Sequence, residues 1–188
     1  MKKLAIITVT FLLVLNIGSY SQDTKNYTNN GTKKEKRIEK RGDRRELKRL
    51  EGTKVSDLSM RSFKIDFAKA MNVKWVRTPN YDIATFNLKK QELKAYYDSD
   101  GQLVGTTEYK TMDDLPDRGV KALKTKYKDY TIGSILYFNN NDINRSPMLL
   151  WGTEITDQSS FFVELAKGTQ KMVVYVDQGG NVRPFKQL

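Results

Sequence analysis

The chain has neither cysteine nor histidine among its 188 residues. The lack of cysteine excludes disulfides, thiolate nucleophiles and thiolate metal sites. The lack of histidine excludes imidazole ligands, catalytic pairs of serine with histidine and a histidine-based pH switch. These absences remove most metalloenzyme mechanisms and most covalent mechanisms. We therefore expect no metal and no cofactor.

Long apolar runs are also scarce, because the chain has only one and it lies at the start. Two lysines precede the apolar residues 4–15, and small residues follow at 18–21. These are the three parts of a secretory signal peptide, so we predict that residues 1–21 are removed by a cut before Gln22. The mature protein is then exported, either periplasmic or extracellular. No second run follows and no cysteine stands at the cut, so we expect neither a transmembrane span after cleavage nor a lipid anchor.

Positive charge is abundant and is concentrated near the N-terminus. The chain contains 33 Lys and Arg against 22 Asp and Glu, a formal net charge of +11. Residues 22–51 alone have a net charge of +5, and their few aliphatic side chains form no continuous helical face. We predict that they are a disordered or frayed basic segment. An exported basic segment meets anionic lipid and polysaccharide before it meets nucleic acid, so we expect no nucleic-acid partner.

Residues 52–188 have the patterning of one folded domain. Apolar residues recur at helical spacing after Ser56, which is a suitable N-cap, and predict an amphipathic helix of about four turns whose apolar face runs from Met60 to Met71. A second helix is predicted after Pro116. The clearest strand signal is a hairpin around the turn 98–101, Asp-Ser-Asp-Gly. Other strands are predicted over 74–77, 81–88, 130–138, 148–156, 161–166, 171–176 and 181–185, with a loop at 139–147.

The two halves of this domain share a pattern at an offset of 79 residues. The alignment pairs Tyr96 with Tyr175, Asp98 with Asp177, Gly101 with Gly180 and Leu103 with Val182. We therefore predict an α+β fold of two pseudo-repeats, about 55–110 and 111–188. Each would be a helix followed by about four antiparallel strands, with the helices packed on one face of the sheet.

Four stretches carry a family resemblance. They are 67–75, 81–86 (Tyr-Asp-Ile-Ala-Thr-Phe), 95–101 (Ala-Tyr-Tyr-Asp-Ser-Asp-Gly) and the Leu-Pro pair at 115–116 with the helix after it. In this order they resemble the PepSY-like, β-lactamase-inhibitor-like (BLIP-like) secreted domains of Gram-negative bacteria, over roughly residues 55–188. Residues 87–90 depart from the pattern, because such domains often have a glycine turn there. The resemblance implies helices packed on an antiparallel sheet and offers no catalytic residues to transfer.

The turn at Asp98 invites a second interpretation as a calcium loop, because alternate carboxylates followed by glycine begin such loops. The later ligands are missing, so a hairpin turn is the favoured interpretation and we predict no metal ligands. Carboxylates, serines and lysines are numerous, but none stands in a motif that distinguishes an active site. We predict no catalytic residues and a protein that is not an enzyme.

Strand parity suggests a binding surface. If odd-numbered residues of strand 92–98 face the helices, the even-numbered ones lie on the opposite face. A sheet with helices on one side leaves the other side open, and aromatic residues there suit recognition, unless a loop covers them. We predict an exported, non-enzymatic binding or inhibitor-like module. It would bind an unknown protein or peptide of the cell envelope through Ile83, Tyr96, Phe162 and Tyr175.

A different class of function also fits the sequence. The protein would be an envelope-surface tethering or adhesion protein whose basic residues 33–54 bind anionic glycolipid or polysaccharide. The folded domain would then be a passive scaffold. Such charge-driven binding must weaken as salt rises.

Overall fold

The computed structural model describes residues 47–188. The predicted signal peptide and residues 22–46 of the basic segment lie outside this range. The described residues form an α+β fold, mostly antiparallel sheet with two α-helices. The helices are α1 (Asp57–Asp66) and α2 (Asp117–Lys126), and a 3-10 turn at Met112–Asp114 precedes α2. The strands are β1 (Met71–Arg77), β2 (Asp82–Leu88), β3 (Gln91–Tyr97), β4 (Leu103–Lys110), β5 (Thr131–Asn140), β6 (Leu149–Leu150), β7 (Thr153–Glu154), β8 (Ser160–Lys167), β9 (Gln170–Val176) and β10 (Val182–Gln187).

Eight of these strands form one sheet in the order β1-β2-β3-β4-β5-β8-β9-β10, while β6 and β7 pair separately. Every pairing is antiparallel. The inner strands β2, β4, β8 and β9 bury one or both faces, whereas the edge strands β1 and β10 contain no fully buried residue. The strands therefore follow the chain from edge to edge, with one interruption between β5 and β8.

The first helix begins as predicted but is shorter than predicted. The Ser56 side chain accepts a hydrogen bond from the amide of Leu58 and caps the helix. The helix ends after 10 residues, because Phe67 leaves helical geometry and the amide of Ala70 bonds back to it in a turn. Met71 was expected on the helix face but instead pairs with Asn87 as the first residue of β1.

Both helices pack on the same face of the sheet. Phe63 of α1 is buried in a cluster with Ala84 and Tyr97, and Leu123 of α2 is buried in a cluster with Val163. This packing provides the driving force for two helices that are too short to be stable alone.

Two glycine turns fix the helices to the sheet. Gly101 has φ +67°, and a Cβ there would lie 2.6 Å from Cβ of Leu58 on α1. Gly180 has φ +75°, and a Cβ there would lie 2.6 Å from the amide nitrogen of Gly119 on α2. Only glycine combines this backbone conformation with so close an approach. Each hairpin turn thus touches the start of a helix.

The face of the sheet opposite the helices, called here the outer face, is partly covered. Residues 141–159, called the cover, pass over it from β5 to β8. The strand predicted over 148–156 is wrong. Trp151 and Gly152 have φ of 50° and 69°, so the chain reverses between β6 and β7.

A cluster of apolar side chains lies between the outer face and the cover. Its buried members are Tyr81, Val104, Phe138, Met148, Leu150, Ile155, Phe162, Val173 and Tyr175. Without the cover, the side chains of this cluster that belong to the sheet would form a large exposed apolar patch. Their burial stabilises the fold by about 25 cal/mol per Å² of apolar surface.

Residues before the predicted boundary at residue 52 also contact the domain. Leu47 packs against the outer-face cluster, and the amide of Leu50 donates a 2.8 Å hydrogen bond to the carbonyl of Pro79. The Arg77 side chain donates to the carbonyl of Glu51 at 2.8 Å. The last five residues of the predicted basic segment therefore contact the domain. Within residues 47–188 no helix is long and apolar enough to cross a membrane.

Candidate functional site

The four predicted binding residues lie on the outer face, where strand parity places them. Ile83 of β2 pairs with Tyr96 of β3, and Phe162 of β8 pairs with Tyr175 of β9. Strands β4 and β5 separate the two pairs. All four side chains border one apolar cluster, but they do not form one exposed surface.

The prediction that this face is open is wrong for Phe162 and Tyr175. Their exposed fractions are 0% and 5%. The ring of Phe162 packs against Trp151 of the cover with centroids 5.8 Å apart. The Tyr175 hydroxyl accepts a 2.8 Å hydrogen bond from Ser160. Both residues are core residues, because apolar burial under the cover is more favourable than leaving the rings in water.

The part of the outer face over β2 to β5 is not covered in the same way. Ile83, Tyr96 and Leu136 are half-buried there, and Tyr109 of β4 is 62% exposed. The name open outer face is used below for these four residues. A shallow groove of ≈ 80 Å³ runs among Lys94, Tyr96, Thr107, Tyr109, Leu136 and their neighbours.

The Tyr96 ring is held in place within this open outer face. Its hydroxyl lies 3.1 Å from the Thr107 hydroxyl, and its ring meets Tyr81 edge-on at 5.8 Å. Burial raises the pKa of the Tyr96 hydroxyl, so this group is neutral at physiological pH. Sequence reasoning missed Tyr109, although parity with Thr107 in β4 would have placed it on this face.

The Asp98 side chain joins the β3–β4 hairpin to the cover through hydrogen bonds. One carboxylate oxygen accepts from the amides of Asp100 and Gln102 at 2.9 and 3.0 Å. The other accepts from the side chains of Asn144 and Ser146 at 2.9 and 2.7 Å. Both oxygens are thus occupied by protein donors. Across residues 47–188 no group of three or more acidic, His or Cys side chains could hold a metal ion.

Its counterpart in the second hairpin, Asp177, is engaged only locally. It accepts from the amide and the side chain of Asn181 at 2.8 and 2.7 Å. Desolvation acts to raise the pKa of Asp177, but the hydrogen bonds from Asn181 outweigh it and lower that pKa. The side chain of Asp177 is therefore ionised, and it caps a turn.

A buried ion pair lies between β1, β2 and α1. Asp82 is fully buried and accepts two hydrogen bonds from Arg77 at 2.7 and 2.8 Å. It also accepts from the Ser59 hydroxyl and the Ser56 amide, each at 2.9 Å. Burial acts to raise the pKa of Asp82, but the hydrogen bonds and the Arg77 charge lower it overall. A buried carboxylate can be a catalytic acid, but this one is ionised and fully bonded, which is a structural role.

A larger groove lies between α1 and β1. Its volume is ≈ 490 Å³. Apolar side chains of Met60, Phe67, Val73 and Trp75 form its walls, with Arg61, Lys64 and Asp57 also lining it. Sequence patterning places several of these side chains in the core, and it contains no signal that this groove exists.

The comparisons with known proteins give a fold and no function. No protein-family model matches the sequence, and no curated protein matches it. Solved structures from Bacteroides do match. A DUF2874 family protein from Bacteroides uniformis is 18% identical with a TM-score of 0.57, covering 70% of this chain and 90% of that chain.

Two further solved structures are similar to the same extent. A BLIP-like protein from Bacteroides fragilis is 17% identical with a TM-score of 0.57, covering 72% of this chain and 87% of that chain. A protein provisionally named as periplasmic from Bacteroides eggerthii is 15% identical with a TM-score of 0.57, covering 72% and 88%. The chain therefore has a BLIP-like fold. The PepSY-like part of the predicted resemblance stays a prediction.

Proposed function

We propose that this protein is an exported, non-catalytic binding module of the inhibitor-like class and that it binds a protein partner through its open outer face. The observation that carries the proposal is the exposed ring of Tyr109, which lines the same groove as the Tyr96 ring. The BLIP-like name of a structure with the same fold supports the same class. Export follows from the predicted signal peptide at 1–21.

The chemistry of this face suits recognition of another protein. Tyrosine rings present a large contact area with few rotatable bonds, so they lose little entropy on binding. The hydrogen bond between Tyr96 and Thr107 holds one ring in advance. Lys94 and Glu92 are exposed around these rings and supply a polar rim.

Site-specific photo-crosslinking tests this proposal. A benzophenone amino acid is placed at position 109 in the exported protein, and the matched control has it at position 124, exposed on α2. We expect one defined crosslinked partner from position 109, lost in an Ile83→Asp variant, and none from position 124. Equal crosslinking from both positions, or none from 109, would refute binding through this face.

A second arm tests the inhibitor class directly. Hydrolysis of a chromogenic β-lactam by a panel of β-lactamases is measured with increasing amounts of the wild-type protein and of Tyr109→Ala. Inhibition by the wild type that falls at least tenfold in Tyr109→Ala would identify the partner class. Crosslinking without inhibition would keep the binding module and remove the β-lactamase.

We propose also that the two halves are two copies of one unit. Residues of α1 and α2 correspond at an offset of 60, and those of β3 and β9 at an offset of 79. The difference of 19 residues is the length of the cover, 141–159. The pairing of β1 with β2 and of β5 with β8 contains a bulge at the same place. On this view the open outer face exists because the first copy lacks a cover.

Tethering through the basic segment is the second candidate. The observation that favours it is the net charge of +5 in residues 22–51, against +4 in the much longer range 52–188. Binding would be to an anionic surface polymer and would weaken steeply with salt.

A further inference from the structure

The two edges of the sheet are built differently. Edge strand β10 contains Pro184, which has no amide hydrogen, a bulge between Pro184 and Lys186, and an exposed Arg183. Proline, bulges and charges are the usual devices that prevent an edge from accepting another strand. Edge strand β1 contains no proline and exposes Met71, Val73 and Val76 at 58%, 37% and 60%. Strand β1 also has a bulge, between Met71 and Lys74, and an exposed Lys74, so the two edges differ in the proline of β10 and in the exposed apolar side chains of β1.

Strand β5 corresponds to β1 in the second half of the domain and pairs with a further strand on its other side. The register of β1 on β2 matches that of β5 on β8, including the bulge between Met71 and Lys74 and the one between Ile132 and Ile135. On its other side β5 pairs antiparallel with β4, from Ile135 onward. The corresponding side of β1 pairs with no strand within residues 47–188.

The backbone groups available on β1 can be identified. The amide of Thr78 donates to the carbonyl of Tyr81 at 2.8 Å, which closes the β1–β2 hairpin. Hydrogen-bonded pairs alternate along an antiparallel ladder, so Val76 and Lys74 bond to β2. The amide and carbonyl groups of Trp75 and Arg77 therefore point away from the sheet, toward an added strand.

The α1–β1 groove lies beside this edge and indicates the side chains of the added strand. Its apolar walls would take an apolar side chain, as the α2 cluster takes Met112 just after β4. Arg61 and Lys64 line the groove, and Lys74 is exposed on β1 itself. Arg77 is neutralised by Asp82, and Asp57 also lines the groove, so the three cations leave a positive net charge at this edge.

We propose that β1 accepts an extended, acidic segment of another protein as an additional antiparallel strand. An apolar side chain of that segment enters the α1–β1 groove, and its carboxylates face Arg61, Lys64 and Lys74. Binding by strand addition takes its affinity from backbone hydrogen bonds and its specificity from alternate side chains. This site uses the sheet edge and not the open outer face, so it goes beyond the proposed function.

Charge argues against two other occupants. A second copy paired antiparallel through the centre of β1 would bring Lys74 opposite Lys74, and like charges in directly opposed positions are destabilising. The basic residues 33–46 have a net charge of +4 and would be repelled by Arg61 and Lys64. An acidic partner has neither problem.

The probe is a ten-residue peptide with the sequence of residues 103–112 and the change Lys110→Glu, which makes it acidic. It is added to the full mature protein, and hydrogen exchange is followed by NMR. We expect the amides of Trp75 and Arg77 to become protected while those of β10 do not change. Two N-methylated peptides supply the backbone control. Methylation at the residues matching Glu108 and Lys110 should abolish binding, and methylation at those matching Thr107 and Tyr109 should not.

Matched variants supply the charge control. Arg61→Glu with Lys64→Glu should weaken peptide binding by about tenfold, the effect of reversing two exposed charges. Lys121→Glu with Lys124→Glu changes the corresponding positions on α2 and should leave binding unchanged. Equal binding by both N-methylated peptides, or no protection at millimolar peptide, would overturn the proposal.

Two further outcomes would also overturn it. One is protection of Trp75 and Arg77 that rises with protein concentration alone, which would show a second copy. The other is protection that disappears on deletion of residues 33–46, which would show the protein's own segment. Either result leaves the photo-crosslinking test at position 109 unaffected, so the two proposals fail separately.

Discussion

Two equivalent positions in the two halves of the sheet are occupied by chemically different pairs of residues. In the first half Arg77 pairs with Asp82 across β1 and β2, while in the second half Tyr137 pairs with Phe161 across β5 and β8. The first pair is a buried ion pair, and the second is a pair of rings with centroids 4.7 Å apart. An apolar pair often replaces a buried ion pair at no cost in stability, whereas loss of one partner is expensive.

Asp82→Asn should therefore destabilise the protein by about 3 kcal/mol, because it leaves the Arg77 guanidinium without a carboxylate in a buried site. The double change Arg77→Tyr with Asp82→Phe should recover most of that loss, because it copies the second half. Urea unfolding measures both free energies. A double variant less stable than Asp82→Asn would contradict the equivalence of the two positions.

The Asp82 carboxylate also determines how the stability of the folded protein depends on pH. The pKa of Asp82 is lowered in the folded protein, so its stabilising contribution is present above the unfolded pKa of about 3.9 and is lost as pH falls through the folded value. Asp177 acts in the same direction. Histidine is absent, so thermal melts should give a nearly constant melting temperature from pH 6 to 8 and a fall below about pH 4. A step centred near pH 6.5 would contradict this prediction.

At the scale of elements, the cover is held by a few polar side chains as well as by apolar packing. The Tyr81 hydroxyl donates to the carbonyl of Pro147 at 2.7 Å and accepts from the amide of Leu149 at 3.1 Å. Asp98 binds Asn144 and Ser146 from the neighbouring hairpin. Removal of Asp98 would leave those two buried groups without this acceptor, which is costly.

Asp98→Ala should cost about 2 kcal/mol and increase hydrogen exchange within residues 141–159. Asp177→Ala, at the matching position of the other hairpin, removes bonds made only within its own turn and should cost about 1 kcal/mol or less. Thermal unfolding and exchange by mass spectrometry compare the two variants. Equal losses, or no change in exchange of the cover, would show that Asp98 does not pin it.

The sequence predicts individual helices and strands well but predicts their packing against one another poorly. Strands were placed within a few residues because alternation is local, and Ser56 marked the start of α1 because capping is local. The β6–β7 hairpin could not be predicted, because residues 148–156 alternate like one strand. The reversal depends on the left-handed backbone conformation of Trp151. Parity identified the outer face, but the covered part and the α1–β1 groove depend on long-range packing that no local pattern reports.

At the scale of the whole molecule, the predicted basic segment extends across the limit of the described residues. Residues 22–46 have a net charge of +4 and lie outside the described range. Residues 47–51 contact the domain through Leu47 and Leu50. Deletion of residues 33–51 thus removes both charge and packing, so it is a poor test of tethering.

A deletion of residues 33–46 separates the two effects. It should reduce binding to anionic lipid vesicles by at least tenfold at low salt and leave the melting temperature within about 1 °C, because the sequence of residues 33–46 offers no continuous apolar face for packing. Deletion of residues 33–51 should lower the melting temperature by several degrees. Undiminished vesicle binding by the shorter deletion across a salt series would leave the segment as a spacer.

The order of strands in the large sheet also has a consequence for how fast the chain folds. Each strand from β1 to β5 pairs with the next one along the chain, and so does each from β8 to β10. Such pairing between neighbours along the chain keeps the contact order below that of a sheet of the same size with crossover connections, so faster folding than for such a sheet is expected. Among the hydrogen bonds of residues 47–188, those of Tyr81 with Pro147 and Leu149 join the residues farthest apart in the sequence. We expect docking of the cover to be the late step, so an exported chain would complete its sheet before it closes its second core.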